Sequence, residues 1–258
     1  VLARAEAANV RALVVTGADP EGAERACELS QRHPNLWATA GVHPHHAADW
    51  DTALERRMRD LHAQPRVVAV GECGLDFNRN FSSPADQERA FEAQLALAAE
   101  SGLPLFLHER DAGRRMRDDT ARVASPLERR GDPLLHRRTR YPLRLSRPRP
   151  AYRPDRLVER RTRGHHLREF IAEVPAERLM VETDCPYLLP RNLPAKIKGR
   201  RHEPALLPWI VRELARWRGE DEETLARVTP EPPAASSVCR RLSSHERISR
   251  FHCRGDRR

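Results

Sequence analysis

Eleven consecutive residues, Val67-Val68-Ala69-Val70-Gly71-Glu72-Cys73-Gly74-Leu75-Asp76-Phe77, constrain the fold of this chain more than any other stretch. Four small or branched apolar residues run without alternation into a glycine and a glutamate. Continuous apolarity marks a strand covered on both faces, as in a parallel sheet, whereas a half-solvated strand alternates. Gly71 and Gly74 let the backbone turn sharply around Glu72. A carboxylate at the end of a buried strand is costly unless it meets a proton, a cation or a metal. Capping a helix or pairing in a salt bridge is the commoner fate of such a residue, so Glu72 alone does not establish a site.

The flanking sequence repeats the same unit. A strand at Arg11–Gly17 follows the tail of an alanine-rich helix, Val1–Asn9. A helix over Pro20–Arg32 has proline in its first turn. The strand Leu36–Val42 ends in His43-Pro44-His45-His46, and a helix over 50–62 carries Leu54, Met58 and Leu61 on one face. After the Glu72 strand, Phe91, Leu95 and Ala98 lie at i, i+4 and i+7 of a helix over Asp86–Ser101 that Gly102 stops. The strand Leu103–His108 again ends in a polar residue. Strands alternating with helices through short connections predict a parallel α/β body. Such bodies place their chemistry at the C-terminal ends of the strands.

Beyond residue 112 the pattern thins. A helix over Gly113–Arg130 has few apolar positions, and Leu134-Leu135-His136 reads as a strand end. Pro142, Pro148, Pro150 and Pro154 break any element between 137 and 163. Order is expected again in a helix over Leu167–Val174, a strand over Leu179–Asp184, and helices over Pro204–Arg218 and Glu220–Arg227.

Charge distribution decides how the composition is read. The chain of 258 residues carries a formal net charge of +9, which suggests a nucleic-acid partner. Residues 137–168 hold 12 Arg, no Lys and only Asp155 and Glu159, so that segment is +10 and the remainder is −1. The basicity therefore belongs to one segment. Five cysteines without regular spacing or a CxxC pair favour reduced thiols over a disulfide framework. No apolar run approaches a membrane span and no signal peptide opens the chain, so a cytoplasmic protein without a membrane partner is expected.

His43, Glu72, His108, His136 and Asp184 stand at five separate strand ends. A single buried histidine is usually structural, but five such groups at one rim argue for a divalent-ion centre. Imidazole with carboxylate suits Zn, Mn or Mg rather than a thiolate site. Such ions activate water and hold the oxygens of a phosphate or acyl group.

The residues around these positions resemble the TatD family of metal-dependent deoxyribonucleases. The matching stretches are Gly41-Val42-His43-Pro44-His45, Gly71–Phe77, Gln87 with Phe91 and Gln94-Leu95, and Leu103–Arg110. Glu182-Thr183-Asp184-Cys185-Pro186-Tyr187-Leu188-Leu189-Pro190-Arg191, Glu203-Pro204 and Trp217-Arg218-Gly219 match as well. The loop Phe77-Asn78-Arg79-Asn80-Phe81 resembles the branch that gives the family its name. The resemblance covers residues 1 to about 112 and about 167 to 229.

It implies a (β/α)8 TIM barrel of the amidohydrolase type, here incomplete or distorted. One barrel domain over 1–229 is expected, irregular at 113–166, followed by an irregular or disordered tail over 230–258. The implied activity is divalent-metal-dependent hydrolysis of DNA, as a 3′→5′ exonuclease on single strands. Two ions, Mg or Mn with Zn as the alternative, would be held by Glu72, His108, His136 and Asp184. Asp184, Glu72 and His43 would be catalytic, Asp184 as proton acceptor for the attacking water. Arg110, His45 and Arg191 would bind substrate. For Arg110 a salt bridge to Asp111 or Glu109 is the plain alternative. Cys73 and Cys185 read as small buried residues, since neither has a base at motif spacing. A hydrolase of amides or esters on the same fold, and a catalytically impaired basic nucleic-acid-binding protein, are the alternatives for the whole chain.

The departures from the family pattern are specific. The family's opening strand, with a metal-binding His-x-His or a variant of it, has no counterpart, so a truncated start is expected. His136 is followed by Arg137-Arg138-Thr139-Arg140 instead of Cys-Phe-x-Gly, and His202 replaces the Asn that precedes Glu-Pro. Arg/Pro/Ser-rich sequence flanked by intact motifs is what a G+C-rich gene yields out of frame. We hypothesise one frame disturbance within about 113–166 and another from about 230. Family-like strands in an alternative reading of the locus DNA would support this, and their absence would refute it.

Overall fold

The structure is a computed structural model, and it describes residues 1–123, 171–172, 174–176, 179–194, 201–228 and 252–254. Its centre is a parallel sheet in the order β4-β3-β2-β1-β5. The strands are β1 (Leu13–Thr16), β2 (Leu36–Ala40), β3 (Val67–Asp76), β4 (Leu105–Arg110) and β5 (His252–Arg254). Helices α1 (Leu2–Ala7), α2 (Pro20–Arg32), α3 (Thr52–His62), α4 (Pro84–Ser101) and α5 (Gly113–Val123) alternate with the first four strands. Helices α6 (Leu207–Arg218) and α7 (Glu222–Val228) follow later in the chain. The parallel sheet with alternating helices is a curled, incomplete barrel of the TIM and amidohydrolase type.

Local chemistry sets the helix boundaries. Asp19 accepts the Gly22 N–H at 2.8 Å and Asp51 the Leu54 N–H at 2.7 Å, capping α2 and α3. Ser83 caps α4 through the Asp86 N–H at 3.1 Å, and Gly102 ends it in the left-handed conformation at φ 68°. Every residue of β3 is buried, as its apolar run requires. At Gly74, φ is 136°, and a Cβ there would collide with the His108 carbonyl oxygen of β4. Glycine at that position is what lets β3 and β4 approach where Gly74 lies opposite His108.

Three buried clusters fill the body. One packs α2, α3 and α4 against the sheet through residues such as Ala26, Met58 and Leu97. A second sets Phe91 and Leu95 of α4 against Leu75 and Met116. The third joins α1 and β1 to α6 and the 171–181 region, through Ala5, Leu13, Ile171, Leu179 and Leu214.

Two expectations change. Leu179 makes an isolated bridge, and 180–184 has no regular secondary structure, so the predicted strand does not form a ladder there. Part of the tail beyond 230 joins the sheet. His252–Arg254 pairs parallel with Val14–Thr16 on the side of β1 away from β2. An open parallel edge presents unpaired N–H and C=O groups that any extended segment can complete. His136 and the Arg/Pro-rich residues 137–163 lie outside the described residues.

Candidate metal centre

The turn after β2 meets the C-terminal halves of β3 and β4, which run on past Glu72 and His108 to Asp76 and Arg110. His43, Glu72 and His108 each bring one ligand atom to within 4.8 Å of the others. His43 and Glu72 are buried and His108 is half-buried. The ring centroids of His43 and His108 are 4.4 Å apart, and that of His45 is 4.2 Å from His43. His43 and His108 thus crowd the Glu72 carboxylate, and His45 stands beside them against a second carboxylate, Asp76.

Helix α4 holds two of these strand ends in place through buried glutamines two turns apart. Gln94 Oε1 accepts the Val42 N–H at 2.8 Å, and its Nε2 donates to the Val42 carbonyl at 3.1 Å. Gln87 does the same for Asp76, at 2.8 and 3.1 Å, and also donates to the Ser82 carbonyl at 2.9 Å. Each side-chain amide acts as a substitute peptide group for a residue leaving the sheet. Val42 directly precedes His43, so the helix face fixes where that imidazole starts.

Hydrogen bonds assign the ring protons. His43 Nδ1 accepts the His45 backbone N–H at 3.1 Å, which places the proton of a neutral ring on Nε2. His43 therefore offers an N–H donor rather than a lone pair from Nε2. His108 Nδ1 lies 3.4 Å from Glu72 Oε1, and its Nε2 is 3.4 Å from Asp76 Oδ2. With the Nε2 proton directed at Asp76, Nδ1 and Glu72 Oε1 are two electron-pair donors facing each other. A cation between them turns that repulsion into coordination, so this donor set fits a divalent ion.

The surrounding charges behave as burial and pairing require. Burial works to raise the Asp76 carboxyl, but the Arg79 N–H, His45, His108 and the Asn78 N–H outweigh it and hold the pKa at about 2. Burial lowers the His45 pKa, and the bond to Asp76 opposes that only in part. The Cys73 thiol is pushed up by burial and by the negative charge of Glu72, which makes it an inert core residue. Cys185 is disulfide-bonded, a departure from the reduced thiol expected for it.

The other residues singled out in the sequence are more dispersed. Asp184 is half-buried and stands outside the mutual 4.8 Å cluster. Its neighbours are braced by His202, whose Nδ1 bonds the Thr183 hydroxyl at 2.8 Å, while that hydroxyl accepts the Cys185 N–H at 3.0 Å. The unusual His202 thus steadies the segment that carries Asp184. Arg110 makes no ion pair among the described residues. The two neighbouring acids are engaged elsewhere, Glu109 with the Ala112 N–H and Asp111 with Asn78. His45 Nε2 is committed to Asp76 at 3.1 Å, and Arg191 is exposed. Sequence reasoning missed Asp76 as a member of the site. It also missed Phe81, which is 69% exposed yet stacks edge-on against His45 at 4.6 Å.

The TatD related DNase family profile matches residues 1–234. The chain belongs to that family. It is 46% identical over 233 residues to the 3′-5′ ssDNA/RNA exonuclease TatD of Escherichia fergusonii, covering 89% of this chain and 88% of that protein. The protein of the same description in Escherichia coli K12 is 44% identical over 233 residues, with the same coverage. The crystal structure of the YJJV TatD homologue of E. coli K12 superposes with a TM-score of 0.67 at 22% identity, covering 88% of this chain and 86% of that one. A TatD family hydrolase from Entamoeba histolytica gives 0.66 at 20% identity, over 88% and 84%. These structural likenesses support the barrel, and the sequence relatives support the family.

Proposed function

We propose that this TatD-family chain is a divalent-metal-dependent nuclease that removes nucleotides 3′→5′ from single-stranded DNA or RNA. The observation that carries the reading is the convergence of His43, Glu72 and His108, whose ligand atoms lie within 4.8 Å of one another. The names of the curated relatives supply the substrate class. Two ions, Mg or Mn, would be held by Glu72, His108, Asp184 and His136, the last outside the described residues. Bound there, they would acidify water and neutralise charge on the phosphate.

The chain's own residues account for the remainder. His43 Nε2–H donates to a phosphate oxygen. Arg110 offers its guanidinium to the same anion, a pairing that planar forks make well. Asp184 accepts the proton of the attacking water as the phosphodiester P–O bond breaks. His45 and Arg191 contact the substrate farther out along the rim. A cytoplasmic location belongs to this reading. No helix among the described residues is long and apolar enough to cross a membrane.

Hydrolysis of 5′-labelled single-stranded DNA with Mg²⁺, Mn²⁺ or chelator tests the proposal. Stepwise shortening that needs the metal and is lost in Glu72→Gln, with the circular dichroism of the fold retained, is the expected result. Chelator-resistant cleavage, or full activity in Glu72→Gln, would overturn it.

A further inference from the structure

Asp76 is gripped from every side. Its carboxylate is 1% exposed. Oδ1 accepts the backbone N–H groups of Asn78 at 3.1 Å and Arg79 at 2.9 Å. Oδ2 faces His45 Nε2 at 3.1 Å and His108 Nε2 at 3.4 Å. The Asp76 peptide is itself held by Gln87. Backbone N–H groups cannot exchange donor for acceptor, so Oδ1 is fixed in the accepting role. Ionised Oδ2 has only lone pairs to offer, so both facing imidazoles must carry a proton on Nε2.

For His108 the consequence reaches the candidate metal centre. A neutral ring protonated on Nε2 keeps its lone pair on Nδ1, and Nδ1 is the atom 3.4 Å from Glu72 Oε1. We propose that Asp76 is a positioning residue that selects the Nε2–H tautomer of His108, so that Nδ1 is the atom offered to a divalent ion beside Glu72. The same oxygen holds His45, whose ring lies 4.2 Å from His43 and 4.6 Å from Phe81. One carboxylate therefore orders the imidazoles along this rim. The ligand role rests on the metal-dependent reading above, whereas the tautomer assignment stands on the hydrogen bonds alone.

Asp76→Asn is the discriminating change. The amide oxygen is retained at the Oδ1 position by the two backbone N–H groups. The amide NH₂ is then forced into the Oδ2 position, where it faces His45 and His108 as a donor. Both rings must answer with a lone pair on Nε2, which moves the His108 proton to Nδ1 and closes the lone pair beside Glu72.

The test is ¹⁵N-resolved histidine NMR on chelator-treated full-length protein at pH 8, paired with Mn²⁺ titration by calorimetry. Wild-type His108 is expected as the Nε2–H tautomer, and Asp76→Asn as the Nδ1–H tautomer. The Mn²⁺ dissociation constant should rise about 10–100-fold in the variant, the usual effect of losing a carboxylate behind a metal-binding imidazole. A Co²⁺-loaded sample should show a changed visible absorption band. An Nδ1–H tautomer in the wild type overturns the proposal without any variant, and so decides the matter if Asp76→Asn does not fold. A folded variant with an unchanged tautomer and Mn²⁺ affinity within twofold of wild type also overturns it, while leaving the nuclease reading intact. A wild type that binds no divalent ion overturns the nuclease reading and with it the ligand role of Nδ1.

Discussion

Replacing Gln94 by leucine isolates what the α4 glutamines contribute. The substitution keeps the side-chain volume close and removes three hydrogen bonds, two to Val42 and one to the Ala90 carbonyl at 3.1 Å. Ala90 keeps its helical partner, so the loss falls on Val42. Its N–H is left buried without an acceptor, which costs about 1–3 kcal/mol, and its carbonyl adds a smaller penalty. Leucine recovers some apolar contact among Ala90, Leu97 and the sheet. The net destabilisation is about 2–4 kcal/mol, a large part of the roughly 5–15 kcal/mol that a domain has in total. At about 2–4 °C per kcal/mol for a chain of this size, the melting temperature should fall by about 5–15 °C.

Urea titration monitored by circular dichroism measures the stability change, and hydrolysis of single-stranded DNA per folded molecule measures the effect on His43. Met58→Ala is the control. Met58 is fully buried in α3, and its truncation costs a comparable amount, about 2–5 kcal/mol, while both hydrogen bonds between Gln94 and Val42 stay in place. Gln94→Leu should lose activity beyond its unfolded fraction because His43 is no longer anchored, whereas Met58→Ala should not. A stability change below about 0.5 kcal/mol, well under the cost of one orphaned N–H, would refute the bookkeeping. Equal activity losses in the two variants would refute the claim that Gln94 places His43.

Two further outcomes follow from the packing. His62 Nε2 donates to the Ala40 carbonyl at 2.9 Å, and its buried Nδ1 has no hydrogen-bond partner among the described residues. Burial holds its pKa below the ordinary value of 6.5, against the Ala40 carbonyl; Arg59 adds to the lowering and Glu100 opposes it. The folded state therefore favours the neutral ring. Its contribution is complete above pH 6.5 and is lost as the pH falls below that through the folded value. Wild-type urea stability should drop more between pH 7.5 and 5.5 than that of His62→Gln, and equal drops would show that His62 does not set the slope. Gly74→Ala forces a Cβ into the His108 carbonyl at a positive φ and should cost about 2–6 kcal/mol from strain and overpacking together. Expression as a normally stable, active protein would contradict the close β3–β4 approach.

The strand ends were legible because a parallel strand must be apolar along its whole length, so a charged residue at its end stands out. Glu72 after Val67–Val70 and His108 after Leu105–Leu107 stood out in this way, although β3 and β4 continue beyond them to Asp76 and Arg110. Gln87 and Gln94 were visible as polar residues on the apolar face of a helix, but their partners were not, since Val42 lies 52 residues from Gln94. Asp76 belonged to a quoted motif, yet its role depends on His45 and His108, 31 and 32 residues away on neighbouring strand ends. Nothing local records that the three meet. The expected strand over Leu179–Asp184 shows the opposite failure. Its apolar residues are buried as predicted, but a ladder needs neighbours, and pairing is a property of the sheet rather than of the segment. The three residues of β5 are too few to carry any period.

The site and the core are therefore one mechanical object. The face of α4 that packs Phe91 and Leu95 into the body also carries Gln87 and Gln94, which grip Asp76 and Val42. Asp76 then aligns His108, and Val42 leads into His43. Packing of α4 is thus transmitted to two imidazoles through two backbone residues held by side-chain amides. Buried polar links of this kind are expensive when half made and stiff when complete. A shift of α4 by a fraction of an ångström would break several of these bonds together. The geometry of His43 and His108 should consequently persist until α4 itself gives way, with both imidazoles losing their places at once.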